Sequence, residues 1–206
     1  MKRESANPEV VNRDHRVAAF IWSLIWHVCF RPTPRWAFGG WRRFLLRAIG
    51  ASIGKGAVIH PTCRIRSPWN LKMGALACLG DHVDCSCEAQ VTIGMKSTVS
   101  QKSMLCTVEY DATTRQLLAV ARPIVIEDYA WVAANVFVCP GIRIGSHAVV
   151  GACSVVTENV SPDCIVGGNP AHVIKTSGSR LGSPTAACWQ PKRPCSWRWN
   201  KMRSSD

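Results

Sequence analysis

No apolar run in this chain reaches the roughly twenty residues that a membrane-spanning helix requires. The longest, residues 17–30 (VAAFIWSLIWHVCF), covers fourteen positions and carries His27 inside it. The start, Met1 to Arg16, is polar and charged and shows no cleavage pattern, so no secretory leader is expected and a cytoplasmic setting is. Acidic residues are scarce: 13 Asp and Glu stand against 25 Lys and Arg, a formal net charge of +12. Charged residues are only 18% of the chain and hydrophobic residues 47%, which argues against a long disordered chain and leaves enough for one sizeable core. Metal-ligand spacing is missing as well. There are eleven cysteines, but Cys85-Ser86-Cys87 is a lone CxC, with no second pair and no His pair at ligand spacing. Disulfides are not expected in a cytosolic setting. Cys85 and Cys153 fall where a small apolar side chain is wanted, and free Cys behaves as one.

The positive charge is placed unevenly. Arg31, Arg35, Arg42, Arg43 and Arg47 crowd one segment, and Lys192, Arg193, Arg198, Lys201 and Arg203 crowd the tail. Such runs attract phosphates of any kind. Their position at the ends suits solvated or membrane-facing edges better than a nucleic-acid stripe, so no nucleic acid is expected as a partner. Residues 17–30 read as a helix. Trp22, Trp26, Trp36 and Trp41 beside arginines suit a helix lying at the inner face of a membrane. They also suit a helix closing one end of a solenoid, the preferred reading because a β-helix needs its open end covered, and the two are compatible. Pro32 and Pro34 break this helix, and a second one is expected from Trp41 to Ile49, stopping at Gly50.

From about Gly50 to Val173 the texture changes to a step of six. Ile126, Val132, Val138, Ile144, Val150 and Val156 are all β-branched aliphatics. Ile, Leu and Val are 44 of the 206 residues, so six such matches in one register arise by chance about once in ten thousand. The fifth position of each repeat is small or apolar: Ala130, Val136, Ile142, Ala148, Ser154, Val160. Upstream, Ile53, Ile59, Ile65 and Leu71 form one run, and Ile93, Val99 and Leu105 another. Leu79 and Cys85 stand between them, with a slip of two residues on each side. A short strand and a tight turn, three times per coil, make a triangular prism with one aliphatic side chain per face pointing inward. Coils stack at the parallel-sheet spacing of about 4.8 Å. Gly54, Gly80, Asp81, Gly94 and Gly145 are expected at turns that need unusual backbone angles. The fold expected is an all-β solenoid, a left-handed parallel β-helix, with an N-terminal helical segment (1–49), the β-helix (50–175) and a basic, disordered tail (176–206). Residues 106–122 lack the step and are read as a loop projecting from one face.

These pieces resemble the hexapeptide-repeat acyltransferases, and within them the colanic-acid-biosynthesis acetyltransferase group. The likeness covers roughly residues 20–176. It rests on FRPTPRWAFGGWRRFLLRAIGASIG, WNLKMG (69–74), VTIGMKSTVSQKSMLCT (91–107), IVIEDYAWVAANVFVCPGIRIG (124–145), VVGACSVVTENV (149–160) and GGNPAHVIK (167–175). The resemblance implies a homotrimer with sites in the clefts between prisms, acetyl-CoA as co-substrate and no metal. The acceptor it implies is a sugar hydroxyl, on a polysaccharide precursor or lipid-linked saccharide. It points to Trp131, Ala133, Ala134, Gly151, Ala152, Asn169, Pro170 and Lys175 along the cofactor, with Arg180 beyond.

One departure concerns chemistry. Acyl transfer to a hydroxyl needs a general base, usually His. The family's stretch resembles Cys-Thr-Gly-Ser-His-Asp; here it reads Cys106-Thr107-Val108-Glu109-Tyr110-Asp111. An ordinary tyrosine, with a pKa of about 10, is a poor base at neutral pH. Glu109 becomes a candidate if desolvation raises its pKa. Asp111 would orient a His that is not there. His60, His82, His147 and His172 remain, and His82 is preferred because it precedes the loop by little more than a coil. Two other classes stay open. One is a degenerate homologue that binds CoA or sugar, or acts as a scaffold, without catalysis. The other is a metal enzyme on the same fold, which needs three His ligands whose spacing this chain lacks.

Overall fold

The computed structural model describes residues 9–10, 16–34, 38–111 and 118–176. The tail beyond Thr176, with Arg180, lies outside them. The centre is a left-handed β-helix of five complete coils. Its first flat sheet stacks Ser52–Ile53, Leu71–Met73, Val91–Ile93, Ile124–Ile126 and Arg143–Ile144. The second stacks Val58–Ile59, Cys78–Leu79, Thr98–Val99, Trp131–Val132, Val149–Val150 and Cys164–Gly167, and His172–Thr176 folds back antiparallel on the last. The third stacks Arg64–Ile65, Asp84–Cys85, Met104–Leu105, Phe137–Val138 and Val155–Val156.

The step of six becomes three interior ladders. Ile53, Met73, Ile93, Ile126 and Ile144 stack on the first sheet. Ile59, Leu79, Val99, Val132, Val150 and Val166 stack on the second. Ile65, Cys85, Leu105, Val138 and Val156 stack on the third. Each of these side chains is buried, as are all six fifth-position residues from Ala130 to Val160. Their burial removes apolar surface from water at roughly 25 cal/mol per Å². No single coil does this alone, because its interior is open above and below.

Three details differ from the sequence reading. Met73, not Leu71, stacks on Ile53, so the first slip falls before Leu71, where Pro68–Asn70 forms a short 3-10 turn. Gly54, Gly80, Gly94 and Gly145 are not there for backbone freedom, since none has a positive φ, and neither does Asp81. At Gly94 an added Cβ would lie 2.5 Å from backbone and side-chain atoms of Asp128 on the next coil, so close approach excludes a side chain. The left-handed positions come later in each turn and hold bulkier residues: Leu76, Lys96, Tyr129 and His147 on one corner, and His82, Lys102, Asn135 and Cys153 on another. Each costs roughly 1 kcal/mol or more in an L-residue. The cost is offset by coil-to-coil bonds such as Tyr129 N–H to the Met95 carbonyl (2.9 Å). Cys153 is accordingly exposed on a turn, while Cys85 is buried as expected.

Two helices close the N-terminal end. The first, α1 (Arg16–Ile25), runs on into a π-helical turn, Trp26–Phe30; the second, α2, is Gly39–Ala48. Trp22 donates its indole N–H to the Ile65 carbonyl (2.6 Å) and Trp26 to that of Cys63 (2.8 Å). Phe30 and Leu46 are fully buried beside them. Gly50 ends the second helix with φ +97°.

Candidate active site

The edge between the second and third sheets is built from short residues. The position just after the second-sheet strand is Gly80, Ser100, Ala133 and Gly151 in successive coils, with Gly167 at the end of the last strand in the same register; the first coil has the larger His60 there. The turns that follow are tied from coil to coil: Asn135 N–H to the Gln101 carbonyl (3.1 Å) and Cys153 N–H to the Ala134 carbonyl (2.9 Å). Trp131 flanks this groove, 43% exposed, with its indole N–H donated to Ser100 Oγ (3.0 Å). At the C-terminal end the 167–171 turn folds back onto the edge. Gly168 donates its N–H to Ser154 Oγ (3.1 Å) and Ala171 donates to the Val155 carbonyl (2.8 Å). Asn169 and Pro170, joined by a cis peptide, stand exposed there.

Trp131, Ala133, Ala134, Gly151, Ala152, Asn169 and Pro170 are thus brought to one edge. Lys175 is not. It pairs with Ile165, toward the far end of a ladder whose near end is Gly167–His172. The two ends are roughly 7–10 Å apart at the rise of a strand.

His82 lies on the same edge, nearer the helical cap. Its left-handed residue position is continued upward by Lys102, Asn135 and Cys153. It lines a depression of about 270 Å³ with Trp26, Arg31, Thr62, Arg64 and Asp84. Its backbone N–H is held by Thr62 Oγ1 (3.0 Å), and that hydroxyl donates to Asp81 Oδ1 (2.9 Å). Asp81 also lies 3.2 Å from Nδ1 of half-buried His60, a His–carboxylate pair that the sequence spacing gave no reason to single out. His147 is on another corner, its ring stacked 4.9 Å from Tyr129. His172 is exposed on the returning strand.

The 106–122 segment is not a plain loop. Val108–Asp111 and Leu118–Ala121 form an antiparallel hairpin, and Glu9–Val10 from the chain's start adds a third strand. Thr107 is fully buried at its base. It shares a hydrogen bond with Ser86 Oγ (2.9 Å) and accepts the Glu88 N–H (3.0 Å). Glu109 pairs with Arg122 at 2.8 Å, and Tyr110 is 67% exposed. Asp111 closes the ladder opposite Leu118. The hairpin leaves the prism between the third and first sheets. Glu109, Tyr110 and Asp111 therefore do not share an edge with His82 or the groove in one chain. Among the described residues no cluster of three His, Cys, Asp or Glu side chains is placed to hold a metal ion, and the nine described cysteines form no disulfide.

Five coils of hexapeptide strands with a hairpin interrupting them leave a sharp question of kinship. The family model "Bacterial transferase hexapeptide (six repeats)" matches residues 123–158. The protein named as a colanic acid biosynthesis acetyltransferase, WcaF, of Escherichia coli (strain K12) is 41% identical over 155 residues, 75% of this chain and 85% of that protein. The chain belongs to the hexapeptide-repeat acetyltransferases. A hexapeptide-repeat-containing acetyltransferase of Vibrio cholerae, solved with acetyl coenzyme A, superposes with a TM-score of 0.69 at 26% identity, over 78% of this chain and 86% of that one. A maltose O-acetyltransferase of Clostridium difficile superposes with a TM-score of 0.72 at 25% identity, over 82% and 92%.

Proposed function

We propose that this acetyltransferase moves the acetyl group of acetyl-CoA to a sugar hydroxyl, on a saccharide or lipid-linked saccharide used in exopolysaccharide biosynthesis. The observation that carries the proposal is the single edge on which a small-residue groove and the His82 depression lie in line. The thin pantetheine arm would run along Ser100, Ala133 and Gly151, walled by Trp131 and bordered by Ala134 and Ala152. The Asn169–Pro170 turn would take the nucleotide end. Lys175 would reach its phosphates only from the far side of the second sheet. The Trp26 ring with Arg31, Arg64 and Asp84 offers a sugar an apolar face and hydrogen-bonding groups.

His82 is the base in this proposal. The sugar oxygen attacks the thioester carbonyl carbon while His82 takes the hydroxyl proton. The C–S bond then breaks, and the proton passes to the departing CoA sulfur. A positioned base of this kind contributes roughly 10²–10⁴-fold. Glu109 is less suited, since its carboxylate is ion-paired to Arg122 where a base was expected to be desolvated. The hairpin leaves from a different edge, so it closes a site only on a neighbouring copy. Side-by-side packing of three prisms would place Glu109, Tyr110 and Asp111 of one chain over the groove of the next.

A thiol-release assay on the full chain, with acetyl-CoA and a panel of saccharides, tests this. Saccharide-dependent release is the expected result. CoA binding with no turnover on any acceptor would favour instead a homologue that binds without catalysis, the reading that exposed Tyr110 at the usual His position supports.

A further inference from the structure

The N-terminal cap carries apolar surface on both sides. One side of α1 is spent on the solenoid, through Trp22 and the Trp26–Phe30 turn. The other presents Val17, Phe20, Ile21, Leu24 and Val28, between 50% and 74% exposed. Their spacing of three, four and seven residues puts them on one helical stripe. The second helix extends it. Trp41 donates its indole N–H to the Cys29 carbonyl (3.2 Å) and stacks on Phe44 with centroids 5.7 Å apart; Phe38, Trp41 and Phe44 are 43–58% exposed. A continuous apolar face of eight large side chains on a water-soluble surface marks a binding site.

The charge around this face selects the occupant. Residues 16–50 contain six arginines and neither Asp nor Glu. Arg31 is exposed, its guanidinium 5.6 Å from the Trp26 ring, and Arg47 is exposed at the other end of α2. Arg42 is buried on Thr33 and Pro34, and Arg43 and Arg47 donate to the Ala57 and Ile53 carbonyls. Trp, Phe and Leu on one face of a segment that carries arginines and neither Asp nor Glu is the pattern of a helix that seats at the boundary between acyl chains and anionic headgroups. Neither helix is long and apolar enough to cross a bilayer.

We infer that the α1–α2 cap docks on an anionic lipid surface, with the prism standing away from it. The inference does not depend on the acetyl-transfer proposal, but it sets the Trp26–Arg31 side of the His82 depression close to the headgroups, where the sugar of a lipid-linked acceptor would lie.

The test is flotation of the full chain with two vesicle preparations: phosphatidylcholine alone, and phosphatidylcholine with phosphatidylglycerol in equal parts. The wild type is expected to float with the anionic vesicles and to be released by high salt. F20S/L24S changes two exposed side chains, so the fold is kept, with circular dichroism and CoA binding as checks. It is expected to lower partitioning roughly ten-fold or more. The inference is overturned if the wild type floats with neither preparation, or if F20S/L24S floats as well as the wild type. It is also overturned if that variant lowers the oligomeric state in sedimentation, which would make the face an interface between copies, or if only a protein partner protects the face from modification.

Discussion

Leu105 and Tyr110 stand five residues apart and live under different constraints, the first fully buried and the second 67% exposed. Leu105 is held by Cys85 below and Val138 above, inside a ladder that runs the length of the prism. Tyr110 is held by one cross-strand neighbour, Ala119, in a hairpin outside the repeat. The difference separates what must be kept to fold from what is free to change. Replacing a ladder residue opens a void that two further coils share. Replacing Tyr110 alters only what meets the hairpin's outer surface, so this position can change without loss of the scaffold.

The largest effect is expected from the proposed base. His82→Asn should lower kcat by roughly 10²-fold or more with melting temperature unchanged, whereas Tyr110→His, with a base already in place, should change it far less. A loss of rate accompanied by lost stability would break the comparison. Ile126→Ala addresses the other region. It should cost about 2–5 kcal/mol in denaturant unfolding, because Ile93 and Ile144 lose their contact across the cavity. Tyr110→Ala, measured alongside, should fall within about 0.5 kcal/mol of wild type.

Thiol reactivity should divide along the same line. Burial pushes the Cys78 thiol up to about 11, with Asp81 adding to it, and burial also raises that of Cys63. Cys85 is raised by its hydrogen bond with Cys87 (2.9 Å) and then by burial. Under native conditions at pH 8, per-residue labelling followed by mass spectrometry should therefore find exposed Cys153 modified first among the nine described cysteines. Cys63 and Cys85 should react only as the prism opens. The smallest effect concerns Glu127. Partial burial works to raise its pKa, but the Ser146 N–H (2.8 Å) and Arg143 outweigh it and hold it below the usual range. A lowered carboxylate stabilises the fold above its unfolded pKa and loses that contribution as pH falls through the folded value. Acid unfolding of Glu127→Gln should therefore show a shallower loss of stability below about pH 4 than the wild type.

The scaffold was legible because its signal is local and repeated: one aliphatic side chain every six residues, with small or apolar residues at the fifth position. Legibility ended where two choices were chemically alike. Leu71 and Met73 are both apolar and both buried, and only the pairing with Ile53 decides between them. The hairpin's third strand, Glu9–Val10, comes from about a hundred residues away and leaves no periodic trace. Placement of the site followed the same division. The groove residues gather on one edge because they share a repeat position. Lys175 misses it because the returning strand runs antiparallel, a reversal no six-residue count reveals. The pairing of His60 with Asp81 crosses coils and was equally hidden.

A crystal structure of the full chain with CoA bound bears most directly on the separation of scaffold from chemistry. The expected result has the pantetheine arm along Ser100, Ala133 and Gly151, and the sulfur at the end of the groove that faces His82. A sulfur facing away from His82, with the arm lying along either of the other two prism edges, would contradict it.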